Sequence, residues 1–296
     1  VTIDPEKKDV RVYECKDIVE TVEDPATQIS VEDAKNISRR YTLGGVVERE
    51  VKTKNFGRLS AQTAKQVIIQ GIREAERSSM LREYEKKREE VISAVVTKAA
   101  DASGDIVIDT GTSEAVLVQG EQIPGETFAV GDRIKVFVTE VRRDSQSGPM
   151  VTLSRTHPNL VKRLFEMEIP EIQDGVVIIE GVSREAGSRS KLAVYSRDAD
   201  VDPVGACIGE RGRRIGEIVE ELRGEKIDVI EYSEKPEEYI AAALSPAEVL
   251  DVELDGERSA VVTVANEQLS LAIGKEGQNA RLAARLTGYK IDIKGR

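Results

Sequence analysis

The sequence predicts an α+β multidomain protein: an α/β N-terminal domain with a long connector helix, a small β-barrel, and two tandem copies of one helix-and-strand module. Three observations predict it. An apolar stripe at helical spacing runs into a mixed-charge stretch between residues 60 and 90. Short β-rich runs separated by turn clusters fill residues 91 to 155. A Gly-x-x-Gly segment set between helical patterns then occurs twice, Gly209–Gly212 and Gly274–Gly277, at an offset of 65 residues.

Along the first 90 residues, Val10, Val12, Ile18, Val19 and Val22 suggest strands, as does the run Val46 to Thr53. Ser30 with Asp33 has the spacing of a capping box and opens a helix predicted to reach Arg40. Ser60 is expected to cap the long helix. Ala61, Ala64, Val67, Ile68, Gly71, Ile72 and Ala75 form its stripe, and Arg82 to Glu90 its solvated end.

The barrel strands are predicted at Val91–Thr97, Ile106–Ile108, Ala115–Val118, Ile134–Val141 and Met150–Leu153. Turn clusters separate them: Ser103-Gly104-Asp105, Pro124-Gly125 and Ser147-Gly148-Pro149. Five short strands in so few residues suit a barrel of the OB type. Beyond it, a helix is expected at Leu160–Met167, strands at Val176–Val182 and Lys191–Val194, and helices on both sides of Gly209–Gly212. A strand at Lys226–Glu231 closes the first copy, and a helical link occupies Pro236–Pro246. The second copy follows, with strands at Val249–Leu254 and Ala260–Val264, helices around Gly274–Gly277, and a strand at Lys290–Ile293.

The repeat carries the candidate chemistry. Cys207-Ile208-Gly209-Glu210-Arg211-Gly212 matches Ala272-Ile273-Gly274-Lys275-Glu276-Gly277, and Lys226-Ile227-Asp228-Val229 matches Lys290-Ile291-Asp292-Ile293. Recurrence in one context marks a duplicated unit. Glycines let a backbone approach a sugar-phosphate chain with no Cβ in the way. A loop at a helix N-terminus also offers free N–H groups and a favourable dipole to phosphate. KH modules clamp about four nucleotides of single-stranded RNA in this manner. Ile208 and Ile273 are expected to floor an apolar groove beside each loop. Arg211, Arg213 and Arg214 in the first copy, and Lys275, Arg281 and Arg285 in the second, supply positive charge. Gln278 and Asn279 are expected to reach phosphates or base edges, while Glu210 and Glu276 dilute the charge and make binding modest per module.

Composition bounds the rest. The net charge of −11 argues against a protein that coats nucleic acid by bulk attraction, and leaves local clusters to set any contact. Aromatics are only 4% and Trp is absent, so few side chains can stack on bases. No apolar run approaches the ~18 residues of a membrane span. Cys15 and Cys207 form neither a disulfide framework nor a metal motif, which suits a reducing cytoplasm. Cys207 is read as a small core residue. His157, the one histidine, is read with Pro158 as the start of a helix. Asp198, Asp200 and Asp202 lack the glycine and glutamate of a calcium loop and are read as a solvated turn. Arg142 and Arg143 on the barrel are assigned either RNA contact or strand capping. No Walker loop, Ser–His–Asp pattern or zinc spacing appears, so no catalysis, metal or cofactor is expected. The chain starts at Val1, which suggests a leading segment.

Longer runs carry a resemblance. Glu168-Ile169-Pro170-Glu171-Ile172, Ser188-Arg189-Ser190-Lys191, Asp202-Pro203-Val204-Gly205-Ala206-Cys207, Ala243-Leu244-Ser245-Pro246-Ala247 and Leu269 to Asn279 closely resemble the bacterial transcription termination/antitermination factor family NusA. Glu121 to Glu126 and Leu153 to Thr156 resemble its S1-type OB barrel, and Phe56-Gly57-Arg58 with Ala61 to Gln66 its N-terminal domain. The resemblance covers the whole chain. It implies domains at 1–89, 90–156, 157–229 and 230–296, the last two being type-II KH domains. It also implies a non-enzymatic, monomeric protein that binds RNA polymerase through its N-terminal domain and nascent single-stranded RNA through its KH domains. Such a protein modulates pausing, termination and antitermination, with other antitermination factors as further partners. Two competing readings use the same modules: the RNA-capturing portion of an RNA-processing enzyme, and a ribosome-associated RNA-binding protein.

Overall fold

The computed structural model describes residues 2–4, 9–51, 58–100, 102–142 and 151–296. It divides into two compact units, Val1–Ser78 and Ser79–Arg296.

In the first unit, β2 (Asp9–Val19) is the organising strand. It pairs antiparallel with β1 (Thr2–Asp4) and β4 (Val46–Val51), and parallel with β3 (Gln28–Ser30). Ile18 and Val47 from this sheet pack on Ala34 of α1 (Val31–Ile37). Ser30 caps α1 as the sequence predicts, its Oγ accepting from Asp33 N–H at 3.1 Å. The helix stops three residues before Arg40 because Ser38 turns extended, with its N–H still bonded to Ala34 O. β3 escaped the sequence reading, since three residues are too short to show alternation. The helix α2 runs Arg58–Lys86, so Ser60 lies inside it and is not its cap. Val67 and Ile72 of the predicted stripe are exposed. Phe56, Gly57 and the turn Ser147-Gly148-Pro149 lie outside the described residues, as does Arg143.

The second unit begins with an antiparallel five-stranded sheet in the order β7-β6-β5-β8-β9. Its strands are β5 (Val91–Lys98), β6 (Ile106–Asp109), β7 (Glu114–Leu117), β8 (Arg133–Val141) and β9 (Val151–Ser154). β7 approaches β9 and nearly closes the barrel. Period-two alternation turns Ile134, Val136 and Val138 of β8 into the barrel, packed with Val96, Ile108 and Leu153. Tyr84, from the last turns of α2, joins that core and places its hydroxyl 2.5 Å from Thr110 Oγ1. Phe137, on the opposite face of β8, enters the next core instead. There His157 stacks on it at 4.8 Å and caps the following helix, its Nδ1 accepting from Asn159 N–H. Burial lowers the His157 pKa below its ordinary value.

The two modules share one plan. The first runs α3 (Pro158–Glu168), α4 (Pro170–Gln173), β10 (Val177–Glu185), β11 (Arg189–Ser196), α5 (Pro203–Ile208), α6 (Arg213–Glu221) and β12 (Lys226–Glu231). The second runs α7 (Pro236–Ala243), β13 (Val249–Leu254), β14 (Ser259–Val264), α8 (Leu269–Ile273), α9 (Gln278–Thr287) and β15 (Lys290–Gly295). Each sheet has an antiparallel hairpin and a last strand parallel to the middle one, the type-II KH arrangement. The sequence reading of Pro236–Pro246 as a link is corrected here. Ile240, Ala243 and Leu244 are fully buried in the second core, so α7 is that module's first helix. Cys207 is fully buried in the first core, and burial pushes its thiol up to about 12. Asp202 caps α5, accepting from Val204 N–H at 3.0 Å, and Asp198 accepts from Asp200 N–H. Among the described residues no group of three or more side chains could hold a metal ion, and no described helix is long and apolar enough to cross a membrane.

Buried charges hold these parts together. Arg155, 1% exposed, forks onto the carboxylate of Glu126 and donates to Lys135 O at 2.7 Å on the barrel. It also reaches Glu221 of α6, its Nη1 donating to Oε1 at 3.0 Å and its Nη2 to the main-chain carbonyl at 2.9 Å. Within the first module, Arg184 and Glu225 form a fully buried bidentate pair. Glu225 also accepts from Gly187 N–H and Ser190 Oγ, so few lone pairs are left unmet. Between the modules, fully buried Lys191 donates to Asp228 at 3.0 Å and to Ser245 O at 2.7 Å. At the rim of that seam, Glu185 accepts from Arg281 at 2.7 Å and from Gln278 at 2.9 Å, with Arg285 at 3.6 Å.

Two outcomes follow from these pairs. Arg155→Met leaves Glu126 buried without its cation, so the unfolding free energy of the second unit should fall by about 3–5 kcal/mol in denaturant titration. Glu185 is held below its ordinary value of 4.5, chiefly by the Arg281 hydrogen bond. A carboxyl depressed in the folded state stabilises it above the unfolded pKa, and that contribution is lost as pH falls through the folded pKa. Stability should therefore decline on acidification below about pH 4.5, and Glu185→Gln should flatten that part of the curve.

Candidate nucleic-acid interface

The two Gly-x-x-Gly loops are backbone copies of each other. Gly209 and Gly274 leave α5 and α8 at φ/ψ of 73/174° and 75/170°. Arg211 and Glu276 then adopt left-handed 55/27° and 53/27°, and Gly212 and Gly277 adopt 74/16° and 75/14°. A Cβ at Gly209 would stand 2.6 Å from Arg214 Cγ, and one at Gly274 2.8 Å from Asn279 N, so the first glycine of each loop has no substitute. The left-handed conformation of Arg211 and Glu276 costs each of the order of 1–3 kcal/mol, a strain that recurs at functional sites.

The conformation turns the middle residues outward. Glu210, Arg211, Lys275 and Glu276 are all exposed. Gly212 and Gly277 begin α6 and α9 with no side-chain cap, and the N–H groups of Arg213 and Gln278 are taken by Glu210 O and Lys275 O of the loops themselves. Ile208 and Ile273 are 37% and 38% exposed at the preceding turn, beside the loops where the sequence reading put an apolar floor.

The structure sorts the other predicted residues differently. Asn279 is fully buried, and its Nδ2 donates to Leu244 O at 2.9 Å and Ala272 O at 3.0 Å. It ties the loop to α7 and α8 and is not placed to reach a base edge. Arg214 lies against the loop, donating to Glu171 and to Ala206 O, both at 2.8 Å. Arg281 and Arg285 face Glu185 across the module seam, and Gln278 donates to Glu185 and to Ser188 Oγ at 2.7 Å. Arg213 is 84% exposed and pairs only loosely with Glu217. Of the six predicted cations, Arg211, Arg213 and Lys275 are exposed at the surface, Arg213 with Glu217 as its partner. On the barrel, Arg142 pairs with Glu140 at 2.9 Å and is exposed.

A cleft opens beside each loop. The first, about 530 Å³, is walled across from the loop by Glu168, Pro170 and Glu171 at the end of α3 and in α4. Glu168 is raised there by burial and by Glu217, and Glu217 is lowered by its contact with Glu168. The second, about 370 Å³, is walled across from its loop by Ser188, Arg189 and Lys226, which belong to the first module. The sequence reading assigned these three no part in a loop cleft. Nothing local marks them, because they reach Lys275 only through the packing of one module on the other.

Comparisons with known proteins agree with this architecture. Residues 1–78 match the NusA N-terminal domain, residues 155–232 the NusA-like first KH domain, and residues 236–296 the NusA-like second KH domain. The chain is 50% identical over 295 residues to the transcription termination/antitermination protein NusA of Bacillus subtilis, covering 99% of this chain and 79% of that protein. It is 48% identical to its counterpart in Halalkalibacterium halodurans and 41% identical to that of Thermus thermophilus, in each case over 99% of this chain and 76% of the relative. On the three matched domains, and on identity sustained over nearly its whole length, the chain belongs to the NusA family of transcription termination/antitermination proteins.

Proposed function

We propose that the chain is a non-enzymatic transcription factor that binds RNA polymerase through its N-terminal domain and nascent single-stranded RNA through the two loops, and so modulates pausing, termination and antitermination. One observation carries the reading. Two loops of identical backbone, each opening an uncapped helix N-terminus, sit in one compact unit with their middle residues exposed. Two modest contacts fixed in one body gain by effective concentration. The names of the relatives support the transcriptional role.

In this reading the direct RNA contacts are Ile208, Gly209, Glu210, Arg211, Gly212 and Arg213, and Ile273, Gly274, Lys275, Glu276 and Gly277. Arg214, Gln278, Asn279, Arg281 and Arg285 position the loops. The domains are placed at 1–89, 90–156, 157–229 and 230–296. The protein acts as a cytoplasmic monomer, with other antitermination factors as further partners.

The decisive variant keeps the glycines and replaces the residues between them: Glu210→Asp with Arg211→Asp, and Lys275→Asp with Glu276→Asp. Each loop loses one positive charge and gains one negative, beside a phosphate. About thirtyfold per module is expected, so RNA binding by the quadruple variant should be near the detection limit in fluorescence anisotropy, with its thermal unfolding close to the parent's. Binding within threefold of the parent by a folded quadruple variant would show that the loops are not the RNA site. In a second experiment, polymerase pull-down should succeed with fragment 1–89 and fail with fragment 157–296; the reverse result removes the N-terminal domain from the polymerase contact.

A further inference from the structure

The two clefts are built from the same six positions. Gly205, Ala206, Gly209, Glu210, Arg213 and Arg214 line the first. Their counterparts 65 residues on, Ser270 to Asn279, line the second. What differs is the facing wall. In the first cleft it is acidic, with Glu168 and Glu171 opposite the loop and Glu217 beside it. Against Arg213 and Arg214, and with Glu210 on the loop, the lining charges sum to about −2. In the second cleft no carboxylate lines the wall, and Arg189, Lys226 and Lys275 make it about +3.

The second module cannot supply that charge alone. Its own Arg281 and Arg285 point across the seam to Glu185 of β10, leaving Lys275 as the cation its loop presents. Arg189 and Lys226 come from the turn side of β11 and the start of β12. The Gln278 to Ser188 hydrogen bond of 2.7 Å holds the turn before Arg189 against the start of α9. Arg189 has only a long contact to Asp228, 3.7 Å, whose stronger partner is Lys191 at 3.0 Å. Lys226 is exposed.

We propose that Arg189 and Lys226 are RNA-backbone-binding residues that complete the second cleft, so that the phosphates of a single strand are captured chiefly in a site walled by both modules. The proposal rests on the RNA-binding reading above. Phosphate seeks the cationic cleft, whereas in the first cleft four carboxylates oppose it. The two loops, alike in backbone, are therefore unequal as phosphate sites.

The test uses the full chain and a mixed-sequence single-stranded RNA of about 12 nucleotides, three times the span one module clamps. Each phosphate neutralised contributes about −0.7 to the log–log salt slope. Arg211, Arg213, Lys275, Arg189 and Lys226 together should give the parent a slope of about −3.5. Arg189→Glu with Lys226→Glu should weaken binding at least tenfold and bring the slope to about −2. Lys226→Glu alone, a change at an exposed side chain, should weaken binding about fivefold and covers the case of a double variant that does not fold. An unchanged slope and an affinity within twofold for a folded variant overturn the proposal. If the four-residue loop variant still loses RNA in that case, the RNA-binding reading survives without it. If the loop variant also binds normally, that reading has failed first.

Discussion

The ammonium of Lys191 has no exposure at all, and the relation between the two loops depends on how it is satisfied. It sits on the middle strand of the first module and donates to Asp228 on the neighbouring strand. Its remaining reach is taken by Ser245 O, which follows the first helix of the second module. A buried cation with one partner missing would be costly, so the second module is held where its carbonyl completes the shell. Burial lowers the Lys191 pKa while Asp228 opposes that shift, as expected of a charge kept in the interior by its partners. Hydrophobic contact supports the same placement: Ile230, at the end of the first module's last strand, packs into the second module's core.

Around that seam, function divides between what is repeated and what is not. The loop backbone is repeated to within a few degrees at both glycines and at Arg211 and Glu276, because the same glycines and the same apolar residue before them impose it. The surroundings are not repeated. The first module faces its loop with its own helix end, rich in glutamate. The second faces its loop with the hairpin turn of its neighbour. Duplication thus gives two equivalent main-chain cradles, and tandem packing gives them unlike fields.

The barrel joins the first module by a comparable device. Arg155 follows the last barrel strand directly and lies buried between Glu126 of the barrel and Glu221 of α6. Phe137 makes the same crossing with an apolar group, leaving the barrel's outer face to enter the module's core. A net charge of −11 therefore coexists with a surface that can hold RNA. Glu126, Glu221, Glu225 and Glu185 are partners of buried or seam-bound arginines, and Arg211 and Lys275 stay exposed on the loops.

By itself, the sequence determined the class of fold, the duplication and the loops. Glycine spacing, apolar periodicity and helix starts such as Ser30 and His157 act within a few positions of themselves, so their meaning survives without coordinates, although Ser60, read the same way, lies inside its helix. It also placed Cys207 in the core and the aspartates near 200 in a turn. What depends on distant partners lay beyond its reach. Asn279, Arg281 and Arg285 are polar residues beside a loop, and in sequence they read as ligand contacts; only packing brings Leu244 O and Glu185 to them. Pro236–Pro246 read as a link because its short apolar run gains a core only when β13, β14 and α9 surround it. Arg189 and Lys226 carried no local signal. Tertiary structure alone decided that they wall a cleft whose loop lies more than 40 residues further along the chain, because side chains far apart in sequence meet only where buried charges and apolar faces dictate how two modules dock.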